Sequence, residues 1–285
     1  MKGIILAGGK GTRLYPITSG LSKQLLPIYD KPMIYYPLSI LMFAGITEIL
    51  IITTPDQKNN FQNVLGNGEK WGLVFKFITQ SEPRGLADAF ILGSDFINGE
   101  KVTLVLGDNI FFGSGLLSLV QSAAHLETGA VIFAYPVKNP KDFGIIELND
   151  MGKPINIEEK PLVTKSNFAI PGIYFYDEKV CEYAAGLAPS ERGELEITDL
   201  NRIYLLENQL EVKILGRGIA WLDAGTHESL LQASNFVQTI EERQGLMISC
   251  PEEIAYRMGL INQDQLLQLA NGFNNQYGEY LLSIL

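Results

Sequence analysis

Cysteine is scarce, long apolar runs are missing, and positive charge is outnumbered. The two cysteines, Cys181 and Cys250, make no zinc or redox spacing, so they read as buried thiols in a reducing cytosol. No apolar run approaches the ~18 residues of a membrane span. The nearest candidate, residues 37–52, is interrupted by Glu48. The first strand-like run, Ile4–Ala7, is too short for a signal-peptide core and ends in glycines. A cytoplasmic protein with no membrane partner is expected. Lys and Arg number 22 against 32 Asp and Glu, a net charge of −10, which argues against a nucleic-acid partner. Internal repeats, low-complexity tracts and linkers are also missing.

What is present is an ordinary globular composition, 46% hydrophobic over 285 residues. A chain of that length buries about three quarters of its surface on folding, enough for a core without disulfides. Charge is unevenly placed. Residues 1–31 hold five cations (Lys2, Lys10, Arg13, Lys23, Lys31) against Asp30 alone, a local charge of +4. A small basic segment in an acidic protein suits a compact anion such as a nucleotide phosphate.

Short apolar runs alternate with helical periodicity through the first two thirds. Strands are expected at Lys2–Ala7, Glu48–Thr53, Leu73–Thr79, Val102–Leu106 and Ala130–Val137. Helices are expected from Pro32 to about Ala44, and at Asp56–Leu65, Leu86–Phe96 and Leu116–Glu127. This alternation predicts an α/β fold with a mixed, mostly parallel sheet covered by helices on both faces. From Phe143 the pattern changes to short strands, Gly144–Leu148, Ile155–Glu158 and Ala169–Tyr176. A helix at Thr198–Leu206 and a strand at Val212–Leu215 follow, and the remainder from Thr226 is helical. Ser249-Cys250-Pro251-Glu252 fits a capping box. The expected organisation is one domain, residues 1–285, with a catalytic α/β core at 1–225 and a helical C-terminal part at 226–285.

The strongest local signal follows the first strand: Gly8-Gly9-Lys10-Gly11-Thr12-Arg13. Glycines so dense let backbone N–H groups approach a phosphate closely, and the loop lies at the carboxyl end of a strand, where open α/β sheets bind ligands. The dinucleotide fingerprint is excluded because Leu14 stands where its third glycine belongs. The P-loop is excluded because Lys10 is followed by Gly11. A glycine turn with no ligand is the bland alternative; Arg13 and the later Lys23-Gln24 weigh against it.

With LAGGKGTRLYPIT at 6–18 and SKQLLPIYDKPMIYYPL at 22–38, the sequence resembles the sugar-nucleotide pyrophosphorylases, and most closely the glucose-1-phosphate thymidylyltransferases. The resemblance continues through EPRGLADAF at 82–90, LVLGDNIF at 104–111, EEKP at 158–161, GIYFYD at 172–177 and GELEITDLN at 193–201. It ends with WLDAGTHESLLQAS at 221–234 and CPEEIAYRMG at 250–259. It implies a Rossmann-like nucleotidyltransferase fold and transfer of a thymidylyl group from dTTP to glucose 1-phosphate, giving dTDP-glucose and pyrophosphate. That is the first step toward dTDP-rhamnose or a related deoxysugar.

Two anions must meet in such a reaction, so it needs cations and a metal more than an acid or base. The nucleophile is already ionised, which fits a chain whose only histidines are His125 and His227. By resemblance, Arg13 and Lys23 contact the phosphates, while Asp108 and Asp223 hold Mg²⁺. Taken alone, Asp108 reads as a strand-end turn residue. Gly8, Gly9, Gly11, Thr12, Gln24, Pro83 and Gly85 line the nucleotide, and Gln80 pairs with O4 and N3–H of thymine or uracil. Glu159, Gly144, Ile170 and Tyr174 hold the sugar, and Lys160 reaches its phosphate. Phe143 and Pro171 stand where tyrosine and threonine are commoner. A homotetramer is implied, and a second, regulatory nucleotide site with Phe112, Gly113, Ser114, Gly218, Glu253 and Arg257. Ser114 stands where close members carry histidine. UTP in place of dTTP, another sugar, and a non-catalytic sensor are the competing readings.

Overall fold

The computed structural model describes residues 1–9 and 11–285; Lys10 of the glycine loop lies outside the described residues. Its strands are β1 (Lys2–Ala7), β2 (Pro27–Ile28), β3 (Lys31–Pro32), β4 (Glu48–Thr53), β5 (Val74–Thr79), β6 (Val102–Leu106) and β7 (Asn109–Gly113). Then follow β8 (Ala130–Pro136), β9 (Gly144–Leu148), β10 (Pro154–Glu159), β11 (Phe168–Ala169), β12 (Ile173–Tyr176), β13 (Leu210–Ile214) and β14 (Ile219–Asp223).

The near-continuous apolar runs of β1, β4 and β6 are what a parallel sheet covered on both faces requires. Ile4, Ile5, Ile49, Ile51, Leu104 and Val105 are all inaccessible to solvent. Ten strands form one mixed sheet in the order β10-β9-β11-β8-β12-β6-β1-β4-β5, with β13 also paired to β8. The β5-β4-β1-β6 half is parallel, where the β-α-β alternation was read. Beyond β6 the pairs along this path are antiparallel.

Several boundaries differ from expectation, each for a local reason. Pro32 does not open a helix: it pairs with Pro27 in the small β2–β3 hairpin, and the helix runs Tyr35–Phe43 with Pro37 in its first turn. The expected helix 86–96 is two, Asp88–Leu92 and Ser94–Ile97. They part at Gly93, where an added Cβ would lie 2.9 Å from the Ala89 carbonyl oxygen. Residues 169–176 divide into β11 and β12 around Ile170-Pro171-Gly172. The capping box at 249–252 does not form: Cys250 makes no side-chain cap, and Ser249 has φ +53°. Boxes occur instead at Thr226–Ser229 and Asn262–Gln265.

The C-terminal helices His227–Gln244, Pro251–Arg257, Gln263–Asn271 and Gln276–Ser283 close one side of the sheet. Cys250, Ile254, Ala255, Leu266 and Leu281 pack into the same apolar cluster as Ile34, Leu38, Leu41 and Trp71. A buried ion pair ties them further. Lys31, only 2% exposed, reaches Glu241 Oε1 at 2.9 Å and also contacts Asp30. The same Glu241 oxygen accepts the Ile248 N–H at 2.7 Å.

Glu241→Ala should therefore leave a buried ammonium with Asp30 alone and orphan a backbone donor. The expected loss is about 3 kcal/mol, a fall in Tm of roughly 5 °C by calorimetry. Lys31→Met combined with Glu241→Leu should recover most of it. A Glu241→Ala protein melting within a degree of the parent would show that the pair contributes nothing.

Candidate active site

The order of β5-β4-β1-β6 reverses direction at β1, so the loops after β1 and β6 diverge and leave a crevice between them. The Gly107 N–H donates to the Leu6 carbonyl at 3.0 Å, which sets the glycine loop beside Asp108. An antiparallel ribbon of β7 and β14 then places Asp223 opposite Asn109. The Ala224 N–H closes the corner on the Asp108 carbonyl at 3.2 Å. Two aspartates far apart in sequence thus share one edge of the cleft. Gly225 shows the convergence: a Cβ there would lie 3.0 Å from Asp223 Oδ1 and 3.2 Å from Arg13 Nη2.

The two carboxylates are not equivalent. Burial pushes the Asp108 carboxyl up, but the Lys23 ammonium that donates to its Oδ2 outweighs this and holds it below the usual carboxylate range. Asn109 Nδ2 donates to the other oxygen at 3.0 Å. Asp223 is pushed up by burial and then by the negative charge of Asp108, against the pull of Lys23 and Arg13. Such a pair is short of positive charge. It fits a divalent cation that takes one or two carboxylates and completes its shell from phosphate and water oxygens. Among the described residues no group of three or more His, Cys, Asp or Glu is placed to hold a metal alone.

Gly8, Gly9, Gly11, Thr12, Arg13, Lys23 and Gly225 line a recess of about 150 Å³. Beside it a cleft of about 890 Å³ runs past Asp108 and Asp223 to Phe143, Gly144, Glu159, Lys160, Ile170 and Tyr174. The kinked segment between β11 and β12 forms its floor. Ile170 donates its N–H to the Gly144 carbonyl at 2.8 Å, and Leu106 donates to Gly172 at 2.9 Å. The Gly172 N–H and Trp221 Nε1 both donate to Asn109 Oδ1, at 3.1 and 2.7 Å. Phe143 packs on Trp221, ring centroids 5.1 Å apart. Glu159 Oε2 accepts from Thr198 Oγ1 at 2.5 Å. Tyr174 stays a neutral phenol, its pKa raised by burial and by Glu159 and Asp108. Lys160, with φ +44°, carries its ammonium 3.8 Å from Glu159.

Arg192 was not anticipated. It lines the cleft with Nη2 at 3.3 Å from Glu159 and 2.9 Å from Glu196. Its setting, Ser-Glu-Arg-Gly, reads as a solvated turn, and only adjacency to the GELEITDLN motif pointed to it.

At the other end, Gln80 is buried, and its Oε1 would lie 3.2 Å from a Cβ added to Gly8. Gln24 is buried too, with Oε1 accepting from Ser22. Gly85, at φ +100°, presses on Leu195, where a Cβ would come within 2.3 Å of the carbonyl oxygen. The Leu195 N–H donates to Arg84 at 2.7 Å and its carbonyl accepts from Ala87 at 3.2 Å. The loop holding Pro83 and Gly85 is therefore fastened to the strip that carries Arg192. Neither His125 nor His227 lines these spaces. A separate groove of about 420 Å³ brings together Phe112, Gly113, Glu253 and Arg257. Gly218 abuts Gly113 and Ser114 is exposed next to it, outside the groove's lining.

The profile of the family described as nucleotidyl transferase matches residues 2–240. The chain belongs to that family. This nucleotidyltransferase is similar to glucose-1-phosphate thymidylyltransferase of Neisseria meningitidis, 56% identical over 100% of this chain and 99% of that one. A crystal structure from Bacillus anthracis, named as a glucose-1-phosphate thymidylyltransferase in complex with sucrose, superposes with TM-score 0.77 at 42% identity, covering 83% of this chain and 94% of that one. A UDP-glucose pyrophosphorylase with bound UDP-glucose shares the fold at 24% identity, TM-score 0.73, over 84% of this chain and 98% of the other.

Gly85→Ala places a methyl against the Leu195 backbone in a conformation only glycine adopts freely. The enzyme should stay folded and lose about 10²-fold in kcat/KM for its nucleotide, since a loop displaced by an ångström misplaces the substrate. Steady-state kinetics with a melting curve checks this; kinetics close to the parent's would show that the loop gives way freely.

Proposed function

We propose that this enzyme transfers a thymidylyl group from dTTP to α-D-glucose 1-phosphate, giving dTDP-glucose and pyrophosphate. One observation carries the reading: a relative of that name is 56% identical over the whole chain. The cleft's geometry supports it, because Arg13, Lys23, Asp108 and Asp223 converge where the phosphates would meet.

An ionised oxygen of the sugar phosphate attacks the α-phosphorus in line, and the bond to the bridging oxygen breaks as pyrophosphate leaves. No general base is needed, in keeping with histidines that lie elsewhere. Arg13 grips the triphosphate and offsets charge on the leaving group. Lys23, held by Asp108, presents its ammonium toward the α-phosphate. Asp108 and Asp223 would hold Mg²⁺, which supplies charge neutralisation at the reacting phosphate when bound. Gln80 reads the base beside Gly85. Glu159 accepts from sugar hydroxyls between Gly144, Ile170 and Tyr174, while Lys160 and Arg192 meet the sugar phosphate.

The same reading extends to a cytoplasmic homotetramer and to a second nucleotide site in the Phe112–Arg257 groove. No helix among the described residues is long and apolar enough to cross a membrane. An exposed Ser114 offers a phosphate less than a charged side chain would, so nucleotide binds there more weakly than in relatives with histidine. Crystals soaked with dTTP test this, and nucleotide confined to the Gly8–Arg13 site would exclude it.

Pyrophosphate release, with dTTP and UTP in parallel and with or without Mg²⁺, tests the activity. Turnover is expected with dTTP and Mg²⁺ and none without the ion; faster turnover with UTP would overturn the thymidylyl assignment. Asp223→Asn should lower kcat ~10²-fold or more, since a neutral amide is a weaker ligand and leaves phosphate charge uncompensated.

The pH dependence follows from Asp223. Its raised pKa means that protons compete with the cation as pH falls. The Mg²⁺ concentration for half-maximal rate should rise as pH is lowered toward that pKa, by up to about tenfold per unit below it. A Mg²⁺ requirement that stays flat as the pH is lowered until the protein itself unfolds would dissociate Asp223 from the metal.

A further inference from the structure

Asp88 opens the short helix Asp88–Leu92 and is 1% exposed, yet no step above uses it. A buried carboxylate is costly unless its oxygens are paired. This one is poorly supplied. Oδ2 accepts one hydrogen bond, from Gln80 Nε2 at 2.8 Å. Oδ1 is buried with no hydrogen-bond partner. The cation facing it is Arg84, whose Nη1 lies 3.9 Å away on a side chain 61% exposed. An apolar or amide residue would occupy the position at less cost, so the carboxylate's service lies in what it does to Gln80.

A carboxylate only accepts hydrogen bonds, whereas a glutamine amide has a donating and an accepting end. Beside a neutral amide or hydroxyl, Gln80 could adopt either of its two flipped orientations. Beside Asp88 it has one: the NH₂ group turns to the carboxylate, and Oε1 is left facing the glycine loop at Gly8. That end meets a base with an acceptor, and the second N–H of Nε2 supplies a donor next to it. Thymine and uracil present the complement, an N3–H beside a carbonyl. Cytosine presents the reverse, a lone pair at N3 beside an amino group.

We infer that Asp88 is a positioning residue that locks the Gln80 amide in one orientation and so sets selection for bases bearing N3–H over cytosine. The inference rests on Gln80 being the base-reading residue of the proposed function.

The test is Asp88→Asn, with Asp88→Ser as a second variant. Both replacements can donate or accept, which frees Gln80 to turn over. Reaction with glucose 1-phosphate is measured with dTTP and CTP, together with thermal melting. The expected result is a ratio of kcat/KM for CTP over dTTP that rises roughly tenfold, mostly through the nucleotide KM. The KM for glucose 1-phosphate should stay as in the parent. Melting temperature should hold or rise, since a buried charge with one hydrogen bond has been removed. If the parent is active on dTTP and the ratio rises less than threefold in both variants, the locking role is overturned. A lower melting temperature with an unmoved ratio likewise reduces Asp88 to a structural residue. A parent inactive with dTTP would instead overturn the reading on which the inference rests.

Discussion

The constraint on which the site depends is the enforced nearness of Asp108 and Asp223. Two carboxylates side by side repel, and Asp223, its pKa raised first by burial and then by the charge of Asp108, carries part of that repulsion. The fold maintains the pair by backbone pairing, because the β7–β14 ribbon fixes Asp223 against Asn109 by main-chain hydrogen bonds. Lys23 offsets part of the charge and keeps Asp108 ionised. What remains is an electrostatic deficit that a divalent cation and its phosphate ligands would remove. A site of this kind is stable enough to persist and incomplete enough to bind.

Asn109 joins the carboxylates to the rest of the cleft. Its amide nitrogen holds Asp108, and its oxygen collects donors from Gly172 and Trp221. Gly172 belongs to the kink that parts β11 from β12, and a Cβ there would lie 2.5 Å from Leu106 Cγ. The kink lets one stretch of chain pair with β6 on one side of it and with β9 on the other. The cleft opens where those partners diverge. Pro171 enforces the break by lacking a donor for a ladder. The cleft is therefore a consequence of sheet topology, and the aspartate pair is braced against its floor.

Much of this was legible in the sequence. The glycine loop after the first strand and the local basic charge each mark a site by their own chemistry, whereas Asp108 alone reads as a strand-end turn residue and is marked only by the resemblance. What stayed hidden was hidden for physical reasons. The β7–β14 ribbon pairs segments about 110 residues apart, and no local pattern encodes a partner at that distance. Ile110-Phe111-Phe112 reads as apolar loop until its partner is known. The helix Val180–Ala185 is too short to show periodicity. Arg192 stands in a turn-like Ser-Glu-Arg-Gly stretch that any solvated cation fits, and Asp88 stands at a helix start, where the dipole alone would favour an acid. Pro32 fits the rule that places proline in a helix's first turn, but Pro37 is the residue that occupies that turn.

The distribution of charge along the cleft gives the polarity of the reaction. An overall charge of −10 works against the approach of anionic substrates, so attraction has to be local. At the glycine-lined end, Arg13 and Lys23 stand among backbone donors, which suits phosphate. Away from it, Glu159, Glu194 and Glu196 outnumber the cations Lys160 and Arg192, which suits hydroxyl groups that need acceptors. Leu195, in the middle of that acidic strip, is hydrogen-bonded to the loop carrying Gly85. The element that would grip the sugar and the element that would seat the base are thus one fastened unit. Displacing either must disturb the other, so under the proposed function a shared backbone contact would align the two substrates before any charge is neutralised between them.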